Sequence, residues 1–249
     1  MTPAALVDAL SAIRLEGVFN PYRDRCSIYD RDDAARRRRD NLVTFVEAIL
    51  HAGGASIWIA RDLGYRGGRR TGLPLTDEVH LPVMSSVYGG LLLHRATIGP
   101  PMAERTAAIV WQLLARIYRP IFLWNVFPLH PHEAGEPFSN RCHTRRERVA
   151  CEGLFIALLE MLAPTKIVAI GRDSAKALEK LGLRFHSVRH PSYGWQSDFI
   201  RGLSDLYRVR EPEPSDKEAK ARCSVAFKRP ATPPVPEHTV PRARRFHYV

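Results

Sequence analysis

Residues 56–78 read SIWIARDLGYRGGRRTGLPLTDE. Ser56-Ile57-Trp58-Ile59-Ala60 is a short apolar run of β-branched and aromatic residues, the composition of a buried strand. It passes into Arg61-Asp62-Leu63-Gly64-Tyr65-Arg66-Gly67-Gly68, a loop with three glycines, several cations and one carboxylate. In an open parallel α/β sheet, ligands bind just beyond the carboxyl ends of the strands. Glycines there let the backbone approach a ligand closely. Asp62 is therefore a candidate reactive group, set against the plainer reading of an aspartate that caps a turn.

Outward from this stretch, strands and helices alternate. Upstream, Pro3 to Ile13 reads as a short helix. A longer one runs from Asp32 or Asp33 to Ala52, burying Leu42, Phe45, Val46, Ile49 and Leu50 and stopping at Gly53-Gly54. Its run Arg36-Arg37-Arg38-Arg39 reads first as a solvated helix surface and second as a nucleic-acid patch. Downstream, residues 79–101 look irregular, with Pro82, Gly89-Gly90 and Pro100-Pro101. Glu104 to Tyr118 is helical, and Pro120 breaks it. Ile121 to Phe127 is a second buried strand with Asn125 inside it. A buried amide must be hydrogen-bonded; a neighbouring loop and a ligand are both open as its partner.

Residues 128–143 form a polar loop rich in His and Pro. Thr144-Arg145-Arg146-Glu147 fits a capping box at the head of a helix reaching Leu162. Lys166 to Ile170 is a third strand, Ser174 to Leu181 a helix, and Leu183 to Val188 a fourth strand. That strand ends in Arg189-His190-Pro191-Ser192-Tyr193-Gly194, before a last helix over about Ser197 to Tyr207. The pattern predicts an α/β fold: three α/β/α layers around a central, mainly parallel four-stranded sheet. Residues 1–31 are expected to form an N-terminal helical extension and 32–207 the α/β domain. Residues 208–249, rich in proline and mixed charge, are expected to be a disordered basic tail.

The net charge of +11 speaks for a polyanionic partner. Four cysteines, Cys26, Cys142, Cys151 and Cys223, form no CxxC pair, so neither a disulfide framework nor a four-cysteine zinc module is indicated. The first residues, with Asp8 and Glu16, are not expected to be a signal peptide, and no run approaches roughly 18–20 apolar residues. The expectation is a soluble protein of a reducing compartment, the cytoplasm, acting as a monomer without a membrane partner. The glycine loop lacks both standard nucleotide-binding patterns. His130, His132, Cys142 and His143 match no standard zinc spacing.

In such a sheet Asp62, Asn125 and His190 all lie at or just past strand ends and converge on one crevice. A carboxylate orients water or stabilises a cation, an amide reads a donor–acceptor edge, and an imidazole stabilises developing negative charge. Arg66, Arg69, Arg70, Arg141, Arg145 and Arg189 around them suit phosphates.

Asp62-Leu63-Gly64, Asn125 within a strand and His190-Pro191-Ser192 occur here in an order and context that resembles the uracil-DNA glycosylase superfamily. The likeness extends through Gly64-Tyr65-Arg66-Gly67, Arg70-Thr71-Gly72-Leu73-Pro74 and the run from Asn140-Arg141 to Gly171. It spans roughly residues 40–207.

The resemblance implies a DNA glycosylase that hydrolyses the N-glycosidic bond of a flipped-out damaged base, chiefly uracil, in base-excision repair. Asp62 would position or activate water, and His190 would stabilise the departing base anion. Asn125, Gly64 and Leu75 would bind the base. Ser192, Tyr193, Arg66, Arg70, Arg141 and Arg189 would hold DNA, with Tyr193 and Trp195 where the family inserts a wedge. No metal or other cofactor is implied.

Several positions depart from the family pattern. Ala60 and Leu63 replace a glycine and a proline of the first motif, and Leu75 stands where a base-stacking phenylalanine is usual. Arg61 occupies an acidic position and Leu129 falls near one iron–sulfur ligand site, so Cys151 and Cys26 make no cluster. The alternative is a non-catalytic nucleic-acid-binding relative of the same fold.

Overall fold

A computed structural model describes residues 1–192 and 194–209. The elements in chain order are α1 (Pro3–Ala12), β1 (Val18–Phe19), α2 (Ala34–Ala52), β2 (Ser56–Asp62), α3 (Gly68–Thr71), α4 (Leu81–Val87) and α5 (Arg105–Leu114). There follow β3 (Ile121–Phe127), β4 (His130–Pro131), α6 (Arg145–Leu162), β5 (Lys166–Ile170), α7 (Arg172–Lys180), β6 (His186–Val188) and α8 (Gln196–Tyr207). The expected tail from residue 210 onward and Tyr193 lie outside the described residues.

The apolar runs dictate the centre. β2, β3, β5 and β6 form one sheet in the order β3-β2-β5-β6. Every neighbouring pair is parallel, with Ala60 beside Asn125, Asp62 beside Phe127, and Ile170 beside Val188. All four strands therefore end at one edge of the sheet. Side chains alternate across a strand, and that alternation fixes the layers. Phe122, in register with Ile57, meets Phe45 of α2 at 4.7 Å between ring centroids. Trp58, on the opposite face, meets Phe199 and Tyr207 of α8 at 6.4 and 5.7 Å. Its indole Nε1 donates to the Tyr207 hydroxyl at 2.8 Å. The fold is the expected three-layer α/β/α arrangement, and its sheet is wholly parallel.

Local chemistry explains where elements begin and end. Thr144 and Glu147 form the reciprocal capping box at α6. The fourth strand starts at His186 instead of Leu183, because the Leu183 N–H closes the end of α7 by donating to Leu178 O at 3.1 Å. Residues 79–101 are not irregular throughout: α4 occupies Leu81–Val87, with Pro82 in its first turn, where a missing N–H costs nothing. The loop over 128–143 is not wholly a surface feature either. β4 pairs antiparallel with β1, and His130 is fully buried. Its Nε2 donates to Ser139 O at 2.9 Å, and its Nδ1 accepts from Arg69 at 3.0 Å. Burial and the Arg69 charge push the His130 pKa down to about 3, so the ring is neutral.

The chain before α2 is woven into the same core. Leu6, Val7, Leu10 and Tyr22 are buried there, and the Tyr22 hydroxyl donates to Gly72 O at 3.0 Å. The four-arginine run at the head of α2 corrects the sequence reading. Arg36 and Arg37 pair with Asp33, but Arg38 is fully buried against Asp30. Its guanidinium also donates to Arg70 O at 3.0 Å. Arg39 is turned to Tyr22 O at 2.7 Å. The run is neither a free surface patch nor a uniformly solvated helix face.

Candidate functional site

The convergent strand ends leave a cavity of about 460 Å³, walled in part by Ala60, Asp62, Gly64, Leu75, Glu104 and His190. A shallower groove of about 570 Å³ runs beside it along Arg172, Ser187, Arg189 and Trp195. Gly171, His190 and Ser192 belong to both, so cavity and groove meet at the His190 ring.

Asp62, the last residue of β2, has a side chain only 6% exposed. One oxygen accepts a short hydrogen bond from His143 Nδ1. The other accepts from Arg61 Nε at 2.6 Å. An ionised carboxylate only accepts, so the His143 proton sits on Nδ1. Arg61 continues to Asp173 at 2.7 Å, tying the end of β2 to the first turn of α7. The His143 ring lies 5.5 Å from that of Phe127, which fixes it from behind. The loop after Asp62 is pinned as well: Leu63 N–H donates to Leu129 O at 3.2 Å and Tyr65 N–H to Asn140 Oδ1 at 3.0 Å.

His190 follows β6. The backbone N–H of Ser192 donates to its Nδ1 at 3.3 Å, and Ser192 Oγ lies 2.8 Å from the same atom. A backbone N–H cannot accept, so Nδ1 is the acceptor and the proton of the neutral ring is on Nε2. Burial and then the charge of Arg61 hold the His190 pKa below the usual histidine range. The result is a neutral imidazole whose remaining nitrogen is a donor. Gly171 packs against it; a Cβ there would stand 3.2 Å from His190 Cβ.

Other sequence candidates fare differently. Leu75 walls the cavity from a left-handed backbone, φ +55°, a conformation uncommon outside glycine. Gly64 also lines it. Asn125 is buried behind the wall and does not line the cavity. Its Nδ2 donates to Asp62 O at 3.0 Å, and its Oδ1 is buried without a partner among the described residues. The donor of this amide is thus taken by the last residue of the neighbouring strand, and its acceptor is unused.

Arg70 is corrected. It is buried, donates to Glu78 at 2.8 Å and stacks on the Tyr29 ring at 3.9 Å, so it offers no phosphate a contact. Arg141 reaches the cavity but grips Glu147 with both terminal nitrogens at 2.9 and 2.6 Å. Arg66 and Arg189 remain open to solvent, stacked on Tyr65 at 5.4 Å and on Trp195 at 4.3 Å. Among the described residues neither forms an ion pair. Ser192 faces both cavity and groove, while Tyr193 is outside the described residues.

Two participants were not singled out from the sequence as members of this site. His143 appeared only within a histidine-rich loop, 81 residues from Asp62, and no local pattern links them. Glu104 appeared only as a helix start. His130, His132, Cys142 and His143 do not assemble: among the described residues no three His, Cys, Asp or Glu side chains are grouped to hold a metal.

The geometry defines an α/β protein with a crevice at the carboxyl edge of a parallel sheet. Among solved structures the chain is similar to the wild-type SMUG2 of Pedobacter heparinus. The TM-score is 0.55 and the identity 15%, with 84% of this chain and 99% of that one covered. At that identity the likeness is one of fold. The chain matches no protein-family model and no curated protein by sequence. Among the described residues no helix is long and apolar enough to cross a membrane.

Proposed function

We propose that this protein is a DNA glycosylase acting on an extruded damaged base, uracil foremost, as a monomer on cytoplasmic DNA. The observation that carries the reading is the meeting of a neutral, Nε2-protonated His190 and a fixed Asp62 carboxylate in one cavity. Stretching the N-glycosidic bond leaves positive charge on the sugar and negative charge on the base. Asp62 opposes the first and the His190 Nε2–H donates to the second. The cavity receives the base, and the adjoining groove, with Arg172, Arg189 and Ser192, suits the phosphate chain. The fold shared with Pedobacter heparinus SMUG2 supports the same reading.

One observation favours a non-catalytic DNA-binding relative: Arg61 neutralises Asp62 directly, at 2.6 Å. The decisive experiment is base release from oligonucleotides carrying uracil, hypoxanthine or a thymine mismatch, single- and double-stranded. Abasic product from the wild type, absent in Asp62→Asn and His190→Ala, is expected. Tight DNA binding with no product from any substrate would refute catalysis and leave the binding relative.

A further inference from the structure

Besides Asp62 and Asp173, a further carboxyl group reaches the cavity. Glu104 stands at the head of α5, where its backbone N–H donates to Asp77 Oδ2 at 2.6 Å. Its side chain turns over the glycine loop. A Cβ added at Gly64 would lie 2.9 Å from Oε1, and one at Gly67 would lie 2.0 Å from Oε2. These two glycines therefore leave the space that the Glu104 carboxyl occupies. Among the described residues nothing donates a hydrogen bond to either oxygen, and the half-buried side chain forms part of the cavity wall. A carboxyl in a cavity wall without a protein partner is free to meet the polar edge of a ligand.

We propose that Glu104 reads the pairing edge of the extruded base, selecting bases that present a lactam, an N–H beside a carbonyl. This deepens the glycosylase reading and rests on it. A carboxylic acid offers one O–H donor beside one carbonyl acceptor, which matches a lactam in both positions. The ionised form only accepts and meets the lactam oxygen with like charge. Burial, and then the charge of Asp77, push the Glu104 pKa up to about 7, against a smaller opposing effect of Arg66. Across the cavity the charged and titratable groups are Asp62, Arg61, His190, Arg141, Arg172 and Asp173. Asn125, the residue the family resemblance assigns to this task, lies behind the wall with its donor engaged. That leaves Glu104 as the acid facing the base.

The test is the pH profile of base release from uracil- and hypoxanthine-containing oligonucleotides between pH 6 and 8.5, in the wild type, Glu104→Gln and Glu104→Ala. A second arm measures binding of free uracil by NMR over the same range. With ionisation near 7, wild-type kcat/KM is expected to fall about 30-fold across this interval. Glu104→Gln keeps a donor and an acceptor without a titration, so its profile should be flat, with less than tenfold loss at pH 6. Glu104→Ala should lose on the order of a hundredfold at pH 6 and bind free uracil weakly at every pH. A wild-type profile flat to pH 8.5, or one that Glu104→Gln leaves falling, would overturn the assignment. If no variant releases base but free uracil binds with the same Glu104-dependent titration, catalysis fails and the edge-reading role stands. If free uracil does not bind the wild type at all, the role fails as well.

Discussion

The backbone N–H of Ser192 donates to Nδ1 of His190 at 3.3 Å, and that single contact determines which proton the imidazole carries into the cavity. Because the donor is main chain, Ser192→Ala should leave the tautomer intact and lower turnover only modestly, through the lost hydroxyl. Under the proposed glycosylase function His190→Ala removes the donor to the leaving base, and a loss of about 10²–10³ in kcat is expected. Nitrogen NMR of His190 should report a neutral ring protonated on Nε2 at pH 7.

The sign of the accompanying stability change follows. The folded state binds this proton less readily than the unfolded chain, so the contribution is present above the ordinary histidine pKa and is lost as pH falls through the folded value. His130, with its pKa lowered to about 3, adds to the same trend. Unfolding monitored by circular dichroism should show stability dropping steadily below pH 6.

His143 touches Asp62 and does not line the cavity, so it is a positioning residue. His143→Ala should reduce kcat about ten- to hundredfold with little change in KM, and His143→Asn, which restores a donor, should recover part of the loss. Asp62→Asn should cost more, about 10²–10⁴. The double variant should be no worse than Asp62→Asn alone, because both changes disable one unit. Fully additive losses in single-turnover kinetics would separate the two residues.

Arg36 and Arg38 are two positions apart and should behave as opposites. Removing Arg38 leaves Asp30 buried and unpaired, a cost of about 3–5 kcal/mol. Arg36→Ala breaks only exposed pairs with Asp33 and Asp40 and should change stability by less than about 0.5 kcal/mol. Denaturant midpoints measure both. If the run were a DNA surface instead, both variants would weaken DNA binding alike and neither would unfold the chain.

These residues show what the chain makes legible and what it hides. The place of Asp62 and His190 at the crevice is legible because strand ends are local: an apolar run stops, and the next polar group stands at the sheet edge. The sheet followed from four such runs. Glu104, His143 and the fate of Arg38 were hidden because each depends on contacts across the fold. Glu104 faces glycines 40 and 37 positions earlier in the chain, and Asp30 lies eight residues before the arginine it neutralises. A charge run on a helix gives no hint of which member points inward. A proline near a helix start reads equally as breaker or first-turn residue, so Pro82 hides α4.

Leu75 combines two properties that substitution can separate. Its backbone lies in the left-handed region, at a cost on the order of 1 kcal/mol for a residue with a side chain. Its isobutyl group forms cavity wall where an aromatic ring would stack on a flat base. Leu75→Gly relieves the first and removes the second, so KM should rise while the melting temperature changes little, strain relief offsetting lost packing. Leu75→Phe keeps the backbone cost and adds a ring face worth about 1 kcal/mol against a base. KM for a uracil oligonucleotide should then fall roughly fivefold, with kcat nearly unchanged. Steady-state kinetics on the pair decides the point. A rise in KM for Leu75→Phe would mean that the cavity has no room for a ring beside the base, and that the leucine is there for its size.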